Sequence, residues 1–329
     1  MTALPDPVSP LSEAAARNAF AAIFDGKADS VDITRFLIAL ADRGETATEI
    51  AAAAHEMRAR MISVQAPANA IDVCGTGGDG SHSLNISTAT ALVVAACDVP
   101  MAKHGNRAAS SKSGAADTLE ALGLDLAKAA TGGEQSLRDI GIAFFFAPNH
   151  HPALGPLAPI RKAIGRRTIF NLLGPLCNPA RVKRQLIGVA SPDLVETYAE
   201  AAAQLDYEKV MIVSGEEGLD ELSISGPSKI AVVEGRSITH SRITPEDLGL
   251  PRSSADAIKG GDAEHNATAL RALLQGEPSA YRDAVLLNSA AALMVAGEAN
   301  SWEAGAEEAA EALDKGLANA LLNCWIANQ

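Results

Sequence analysis

Two short glycine-rich segments, each lying between an apolar run and a helical pattern, constrain the fold of this chain more than any other feature. The first is residues 72–80 (DVCGTGGDG), and the second is residues 103–114 (KHGNRAASSKSG). Glycines let the backbone approach an anion closely, and the free N–H groups of a helix's first turn face that anion. Because the first loop carries an acidic residue and hydroxyls and the second carries two lysines, the pair predicts a site for a substrate with several phosphates and a metal.

Short apolar runs and helical stretches alternate from residue 70 onward. Strand-like runs lie at 71–74, 99–103, 142–146, 186–189, 209–213 and 230–233, with helical patterns between them. Such alternation predicts a mostly parallel sheet covered by helices on both faces. Hydrophobic residues make up 47% of the chain and aromatic residues 4%, a composition that fits a helix-rich α/β protein better than a β-sandwich.

The N-terminal part contains helical patterns without strands. Helices are expected over 12–24 and 31–43, and Thr46 with Glu49 forms a capping box that opens a third. Three short helices cannot bury their apolar faces alone, so they must pack on later chain or on another subunit. We expect an α/β protein with a small helical domain, 1–66 joined by part of 155–185, and a large α/β domain, 67–329.

Charge and cysteine content exclude several classes of protein. The formal net charge of −13 disfavours binding to nucleic acid or to anionic membranes. The four cysteines are spaced neither as a zinc site nor as a disulfide framework. The beginning of the chain lacks the features of a signal peptide, and the longest apolar run, 89–97, is too short to span a bilayer. We expect a soluble cytoplasmic protein with no nucleic-acid or membrane partner.

Side chains in and after the first loop suit phosphates or a hard cation. Thr76 adds a hydroxyl donor, whereas Asp79 would repel phosphate unless a cation lies between them or the carboxylate binds sugar hydroxyls. Asn85, Ser87 and Thr88 then stand at a predicted helix N-terminus. The alternative is a glycine turn before a capped helix, but such a turn does not need four glycines with interleaved Thr and Asp.

The second loop supplies cations. Lys103 ends a buried strand, where a lysine needs an anionic partner. For Arg107 and Lys112, a role in binding the anionic substrate and a role as solvated surface charges are equally compatible with the sequence. His104 would either polarise a substrate or be a satisfied polar group beside the loop, and we favour the second slightly.

Three later segments add an acidic pair, a basic group and a Gly-Pro pair. Asp220 and Glu221 follow a strand and a glycine turn and suit Mg²⁺, although adjacent acids are also common at solvated helix starts. Arg161 either pairs with a substrate carboxylate through its planar fork or forms an interhelical salt bridge. Gly174-Pro175 is either a rigid turn or a wall of an aromatic slot, and composition leaves both interpretations open.

The motifs DVCGTGGDG, NIST, KHGNRAASSKSG, HHP, RTIFNLLGPLCNP and GLDELS, in this order and spacing, resemble the anthranilate phosphoribosyltransferase family of tryptophan biosynthesis. The resemblance spans roughly residues 11–296. It implies a small helical domain, a large domain of the type II nucleoside-phosphorylase-like fold, and a homodimer formed through the small domains. It also implies transfer of the 5-phosphoribosyl group from 5-phosphoribosyl 1-diphosphate to the amine of anthranilate, with Mg²⁺ as cofactor.

The same resemblance implies roles for individual residues. The catalytic residues would be Lys103, Asn106 and Arg161, and the metal ligands would be Ser87, Asp220 and Glu221. Anthranilate would contact Gly75, Asn106, His151, Arg161, Gly174 and Pro175, with Arg161 nearest its carboxylate. The phosphoribosyl diphosphate would be held by Gly75, Thr76, Gly78, Asp79, Ser83, Asn85, Ile86, Ser87, Thr88, Lys103, His104, Gly105, Asn106, Arg107, Ala108, Ala109, Ser110, Ser111 and Ala115.

Two alternative functions have different requirements. A pyrimidine nucleoside phosphorylase of the same fold would need a phosphate site and a nucleobase pocket with an S-G-R-G type loop, whereas the corresponding loop here reads KHGNR. A non-enzymatic, nucleic-acid-binding paralogue would need a basic groove and a damaged metal pair. The acidic net charge and the intact Asp220-Glu221 pair argue against it.

Overall fold

The computed structural model describes residues 2–108 and 111–328. The strands within those ranges are β1 Ile71–Gly75, β2 Met101–Gly105, β3 Ile142–Phe146, β4 Arg184–Gly188, β5 Lys209–Gly215, β6 Ser228–Glu234 and β7 Ser237–Ile243. The helices are α1 Glu13–Phe24, α2 Ser30–Arg43, α3 Ala47–Arg58, α4 Ile86–Ala95, α5 Ala115–Ala121, α6 Leu126–Asp139, α7 Ala147–His150, α8 Ala158–Ile164, α9 Phe170–Leu176, α10 Leu194–Ala202, α11 Ala263–Leu274, α12 Ala280–Ala296, α13 Trp302–Asp314 and α14 Leu317–Ala327. Three short 3₁₀ segments lie at Pro152–Leu157, Pro245–Leu248 and Ala255–Ile258.

The three N-terminal helices begin at side-chain caps, as the sequence predicts. The Ser12 hydroxyl accepts from the Ala15 N–H at 3.3 Å, and Asp29 accepts from the Val31 N–H at 2.8 Å. The predicted capping box at the start of α3 is confirmed, with both of its hydrogen bonds present. These caps satisfy N–H groups that have no partner inside the helix.

The apolar faces of α1–α3 are covered by later parts of the chain. Their buried residues belong to one apolar cluster with residues of α9 and α10 and with the nearest face of the sheet. Phe20, Leu37 and Ile50 are among its fully buried members. The segment containing Leu157 and α9, which interrupts the strand–helix alternation, therefore supplies part of the core that the helical region needs.

The seven strands form one sheet in the order β3-β2-β1-β4-β5-β6-β7. The first five are parallel, and β6 and β7 run antiparallel to their neighbours, so the prediction of a mostly parallel sheet is confirmed. The expectation of a helix between 213 and 230 is wrong. A β5–β6 antiparallel pair needs no helical crossover, and a loop with Gly218 at φ +94° and Pro227 joins the two strands. The polar, exposed strand β7 gave no apolar signal and was not predicted.

Helices cover both faces of the sheet and leave its carboxyl edge open. On one face, Ile71 and Val73 of β1 pack with α4 and α11–α14, and on the other Ile187 of β4 packs with α9 and α10. The connections from β1 and β4 lead to opposite sides of the sheet, which makes the edge between them a common place for a ligand. Among the described residues, no helix combines the length and apolar character that crossing a bilayer requires.

Candidate active site

A cavity of about 340 Å³ opens at the carboxyl edge of the parallel strands. Its walls come from the loops after β1 and β2, the start of α4, the α7–α9 segment and the loop after β5. It brings together the following residues predicted from the sequence: Gly75, Thr76, Gly78, Asp79, Ser83, Asn85, Ile86, Ser87, Lys103, His104, Gly105, Asn106, Arg107, Ser111, Ala115, His151, Arg161, Gly174, Pro175, Asp220 and Glu221.

Two of the described residues predicted to bind the phosphoribosyl diphosphate, Thr88 and Ala108, are not in this lining. Thr88 is buried inside α4, and Ala108 is a half-buried residue of the second loop. Ala109 and Ser110 lie outside the described residues. Within the described residues, the second loop contributes 103–107, Ser111, Ser113 and Gly114 to the wall.

Gly75 and Gly188 make room for the acidic loop. They are paired in register at the ends of β1 and β4. A Cβ atom at Gly75 would lie 2.0 Å from Asp220 Oδ2, and one at Gly188 would lie 1.6 Å from the Asp220 carbonyl oxygen. Any side chain at either position would therefore displace Asp220. The Gly77 N–H donates to Asp220 Oδ2 at 2.7 Å, and this hydrogen bond joins the first glycine-rich loop to the loop that carries Asp220 and Glu221.

The acidic loop concentrates negative charge in a buried place. Burial, followed by the charge of Asp79, raises the pKa of Asp220 to about 7. Burial and the charge of Asp220 raise the pKa of Glu221 well above its usual value. Glu221 Oε1 accepts from the Ser87 N–H at 3.1 Å, so the Ser87 residue lies beside the carboxylate pair. Oxygen donors that repel one another in this way suit a hard divalent cation.

Lys103 is buried beside this pair, with 2% of its surface exposed. Its Nζ donates to the Val73 carbonyl at 2.9 Å and to Ser87 Oγ at 3.4 Å. Its positive charge opposes the rise in the pKa values of Asp72 and Glu221. The sequence predicts an anionic partner for Lys103, and in the structure its charge interacts with the carboxylates of Asp72 and Glu221.

His104 and His151 form a neutral pair in the cavity wall. Their Nε2 atoms are 3.3 Å apart, and His104 Nδ1 lies 3.2 Å from the Gly174 carbonyl oxygen. Because a carbonyl can only accept, His104 carries its proton on Nδ1 and its Nε2 accepts from His151. Burial lowers the pKa of His104 to about 3 and that of His151 to about 4. Both rings are therefore uncharged at neutral pH.

Arg161 is a half-buried cation in the same cavity. Its guanidinium lies over the Phe170 ring at 5.9 Å, and burial lowers its pKa. No carboxylate among the described residues pairs with it. By contrast, Arg166 pairs with Asp42 at 2.6 Å and Arg167 pairs with Glu45 at 3.3 Å. The salt bridges of this basic segment are thus made by Arg166 and Arg167, which lie between α8 and α9, and not by Arg161.

Two predicted phosphate-binding side chains are engaged with protein groups. Arg107 pairs with Asp117 at 2.8 Å and with Glu120, and it lies over the Phe146 ring at 5.7 Å. Asn85 Oδ1 accepts from the Thr118 hydroxyl and the Asn266 amide, while its Nδ2 donates to the Ser113 carbonyl. The Asn85 side chain therefore braces the first loop against the second.

Several cavity residues were not assigned from the sequence. They come from α3, from the α7–α9 segment and from the second loop: Met57, Leu154, Phe170, Asn171 and Ser113. Met57 lies on the apolar face of α3, as a core residue would, so no local signal distinguishes it. Phe170 and Asn171 lie in the RTIFNLLGP motif, which was the available signal for their position.

Comparison with known proteins first defines the class. Residues 67–319 match the glycosyl transferase family, a/b domain, and residues 8–61 match the glycosyl transferase family, helical bundle domain. Anthranilate phosphoribosyltransferase of Novosphingobium aromaticivorans is 64% identical over 99% of both chains. That of Sphingopyxis alaskensis is 61% identical over 98% of this chain and 97% of the relative.

Solved structures agree with these relatives. The crystal structure of anthranilate phosphoribosyltransferase from Thermus thermophilus superimposes with a TM-score of 0.93 at 40% identity, covering 99% of both chains. The Saccharomyces cerevisiae enzyme in complex with PRPP and Mg gives a TM-score of 0.88 at 29% identity, covering 96% of this chain and 93% of that one. The chain belongs to the anthranilate phosphoribosyltransferase family, as the sequence motifs predict.

Proposed function

We propose that this protein transfers the 5-phosphoribosyl group from 5-phosphoribosyl 1-diphosphate to the amine of anthranilate, a step of tryptophan biosynthesis. The products are N-(5-phosphoribosyl)anthranilate and diphosphate. One observation carries the proposal: the guanidinium of Arg161, which pairs with no carboxylate of the described residues, shares a cavity with two glycine-rich loops and a buried carboxylate pair. An acceptor with a carboxylate and a donor with a metal-bound diphosphate are the substrates that such a combination recognises.

This arrangement supports the roles that we propose for the individual residues. The loop from Gly75 to Asp79 and the start of α4 hold the phosphoribosyl diphosphate, with Lys103 as the buried cation beside them. The Arg161 guanidinium binds the anthranilate carboxylate, and His151, Gly174 and Pro175 form the wall against its ring. Support comes from yeast enzyme structures, one in complex with PRPP and Mg and one in complex with 4-fluoroanthranilate.

We propose Mg²⁺ as the cofactor, held by Asp220, Glu221 and the Ser87 hydroxyl. The donor set fits this ion, because all three groups offer oxygen and the carboxylates have raised pKa values that a cation would relieve. No group of three or more His, Cys, Asp or Glu side chains in the described chain forms a complete metal site. Magnesium commonly completes its shell with water and substrate phosphates.

The reaction breaks the C1–O bond of the ribose, forms a C1–N bond and releases one proton from the amine. A bound Mg²⁺ would neutralise charge on the departing diphosphate. The chain's own main-chain N–H groups and Lys103 stabilise the same charge as it develops. The amine of anthranilate is uncharged at neutral pH, so no strong base has to activate it. The wall of neutral imidazoles orients the ring so that the amine lies near C1, which supplies the remaining acceleration, and Arg161 supplies affinity for the acceptor.

The direct test is to follow the loss of anthranilate fluorescence on addition of 5-phosphoribosyl 1-diphosphate. We expect consumption of anthranilate that requires Mg²⁺ and stops with EDTA. A parallel assay of thymidine and uridine phosphorolysis addresses the alternative phosphorylase activity. A purified, folded protein that never consumes anthranilate would refute the proposal.

We further propose a homodimer formed through the helical domains. Three of the four large apolar side chains that the described chain leaves exposed lie in its first 62 residues: Val8 (75%), Val31 (54%) and Ile62 (55%). We expect Val31→Asp to shift the mass measured by light scattering from dimer to monomer, whereas Leu317→Asp, which changes an exposed residue of α14, leaves the dimer intact. A dimer that persists in Val31→Asp at micromolar concentration would contradict this assignment.

The location and the domain division are also proposals. The four cysteines are free thiols, which suits the reducing cytoplasm. We propose a boundary between residues 66 and 67, with part of 155–185 joining the helical domain. The separate matches of residues 8–61 and 67–319 to two family models support the boundary, and the packing of Leu157 and α9 against α1–α3 supports the contribution from 155–185.

A further inference from the structure

The strands β1 and β2 diverge just before the cavity. In the described chain their register joins one residue pair, Ile71 with Met101, whereas β1 and β4 are joined at five. Beyond that pair, two side chains supply the bonds between the strands. Lys103 Nζ donates to the Val73 carbonyl at 2.9 Å, and the His104 main-chain N–H donates to Asp72 Oδ1 at 3.1 Å. These side chains set the separation of the strand ends.

Asp72 is fully buried and lies outside the lining of the cavity. Its second oxygen accepts from Asn178 Nδ2 at 2.8 Å and from Gln185 Nε2 at 3.0 Å. Burial raises the pKa of Asp72, while the charge of Lys103 and the hydrogen bonds from Asn178 and from the His104 main chain oppose the rise. A buried carboxylate is costly even when it is hydrogen-bonded, so its presence at this position calls for a use.

The hydrogen bonds of Asp72 lead to the wall of the proposed anthranilate site in two directions. Gln185 Nε2 also donates to the Pro175 carbonyl at 2.9 Å. His104, held through its main chain, donates from its ring to the Gly174 carbonyl at 3.2 Å. The connections close a ring from Asp72 through His104, Gly174-Pro175 and Gln185 back to Asp72, which fixes the wall in one orientation.

We propose that Asp72 is a positioning residue for the aromatic acceptor, and this inference rests on the function proposed above. It holds His104 and Pro175 at the separation that the anthranilate ring requires without touching the substrate. Asparagine cannot replace it. Whichever way the side-chain amide of an Asp72→Asn variant is turned, its NH₂ group faces either the His104 N–H or the two amide donors of Asn178 and Gln185.

The test compares the Michaelis constants for the two substrates in Asp72→Asn. We expect the anthranilate KM to rise at least tenfold, because small displacements of positioning groups are costly. The KM for 5-phosphoribosyl 1-diphosphate should stay within threefold, since Lys103 keeps its bonds to Val73 and Ser87. Hydrogen exchange at the His104 amide should become faster, which reports the lost bond directly.

A second variant keeps the inference testable if Asp72→Asn does not fold. Gln185→Met retains the length of the side chain and leaves the bond between Asp72 and His104. It removes the bonds from Gln185 to Pro175 and Asp72 and the acceptor of the Tyr207 hydroxyl. We expect its anthranilate KM to rise at least threefold. Leu322→Ala, in the distant core at α14, is the matched control, because it lowers the melting temperature and should leave both KM values unchanged.

The outcomes separate this inference from the proposed function. An inactive wild-type protein overturns both. An active wild type whose folded variants keep a normal anthranilate KM overturns the positioning role alone. A parallel rise in both KM values also overturns it, because it indicates a general loss of structure.

Discussion

Replacing Arg161 with alanine should weaken anthranilate binding without weakening the fold. The guanidinium is half-buried in the cavity, burial lowers its pKa, and no carboxylate of the described chain pairs with it. Removing it costs the folded protein little more than its contact with the Phe170 ring, about 0.5–1 kcal/mol. The melting temperature should therefore fall by no more than about 2–4 °C.

The effect on the substrate should be larger. A hydrogen bond between two charged groups contributes about 1.5–3 kcal/mol, which corresponds to a rise of roughly 10- to 100-fold in the anthranilate KM. The interaction is the same in the ground state and in the transition state, so kcat should change little. Steady-state kinetics by anthranilate fluorescence, at saturating 5-phosphoribosyl 1-diphosphate, measures both constants.

Two controls make this prediction specific. Arg166→Ala removes a neighbouring, exposed arginine that pairs with Asp42; such pairs contribute little, so its kinetics should match the wild type. Aniline, which lacks the carboxylate, should be used equally poorly by the wild type and by Arg161→Ala. If Arg161→Ala loses the same factor with aniline as with anthranilate, the guanidinium does not act on the carboxylate and our assignment is wrong.

The remaining predictions concern the metal site and the histidine pair. Asp220→Asn with Glu221→Gln should lower kcat/KM at least 100-fold and raise the Mg²⁺ concentration needed for half-maximal activity; an unchanged Mg²⁺ dependence would exclude these ligands. The lowered pKa of His104, about 3 against 6.5 when unfolded, means that the unfolded chain binds the proton first as pH falls. Between pH 7 and pH 5 the free energy of unfolding should therefore decrease less in His104→Gln than in the wild type, by on the order of 2 kcal/mol. Urea unfolding at both pH values measures this difference, and equal decreases would contradict a neutral buried His104.

Much of the site could be predicted because its signals are local. The glycines of the first loop and the hydroxyls after it form one continuous segment, and Asp220 and Glu221 are adjacent in another. Each of these two segments follows a predicted strand. Parallel strands carry their following loops to one edge of the sheet, so correct strands were enough to bring the segments together. The resemblance to the family then supplied the substrates.

Other features depend on distances that no local pattern encodes. Gly75 was assigned to phosphate binding, yet its clearest requirement in the structure is the close approach of Asp220, a residue far away in sequence. The sequence left Arg161 between a substrate ligand and a salt bridge, and the structure places it in the cavity wall with no carboxylate partner among the described residues, while Arg166 and Arg167 pair with Asp42 and Glu45. The prediction of a helix between 213 and 230 is wrong because the spacing of apolar runs does not reveal whether the next strand is parallel and needs a helical crossover.

The sequence by itself determined the α/β class, the two glycine-rich loops, the acidic pair and the family, since these rest on short-range patterns of residue type. Only the tertiary structure decided what lies between them. It opens β1 from β2 after one residue pair, places the buried Asp72 and Lys103 across that opening and sets two uncharged histidines in the cavity wall. The physical reason is that burial and cross-strand separation fix the charge and orientation of these groups, and both quantities exist only once the chain has packed.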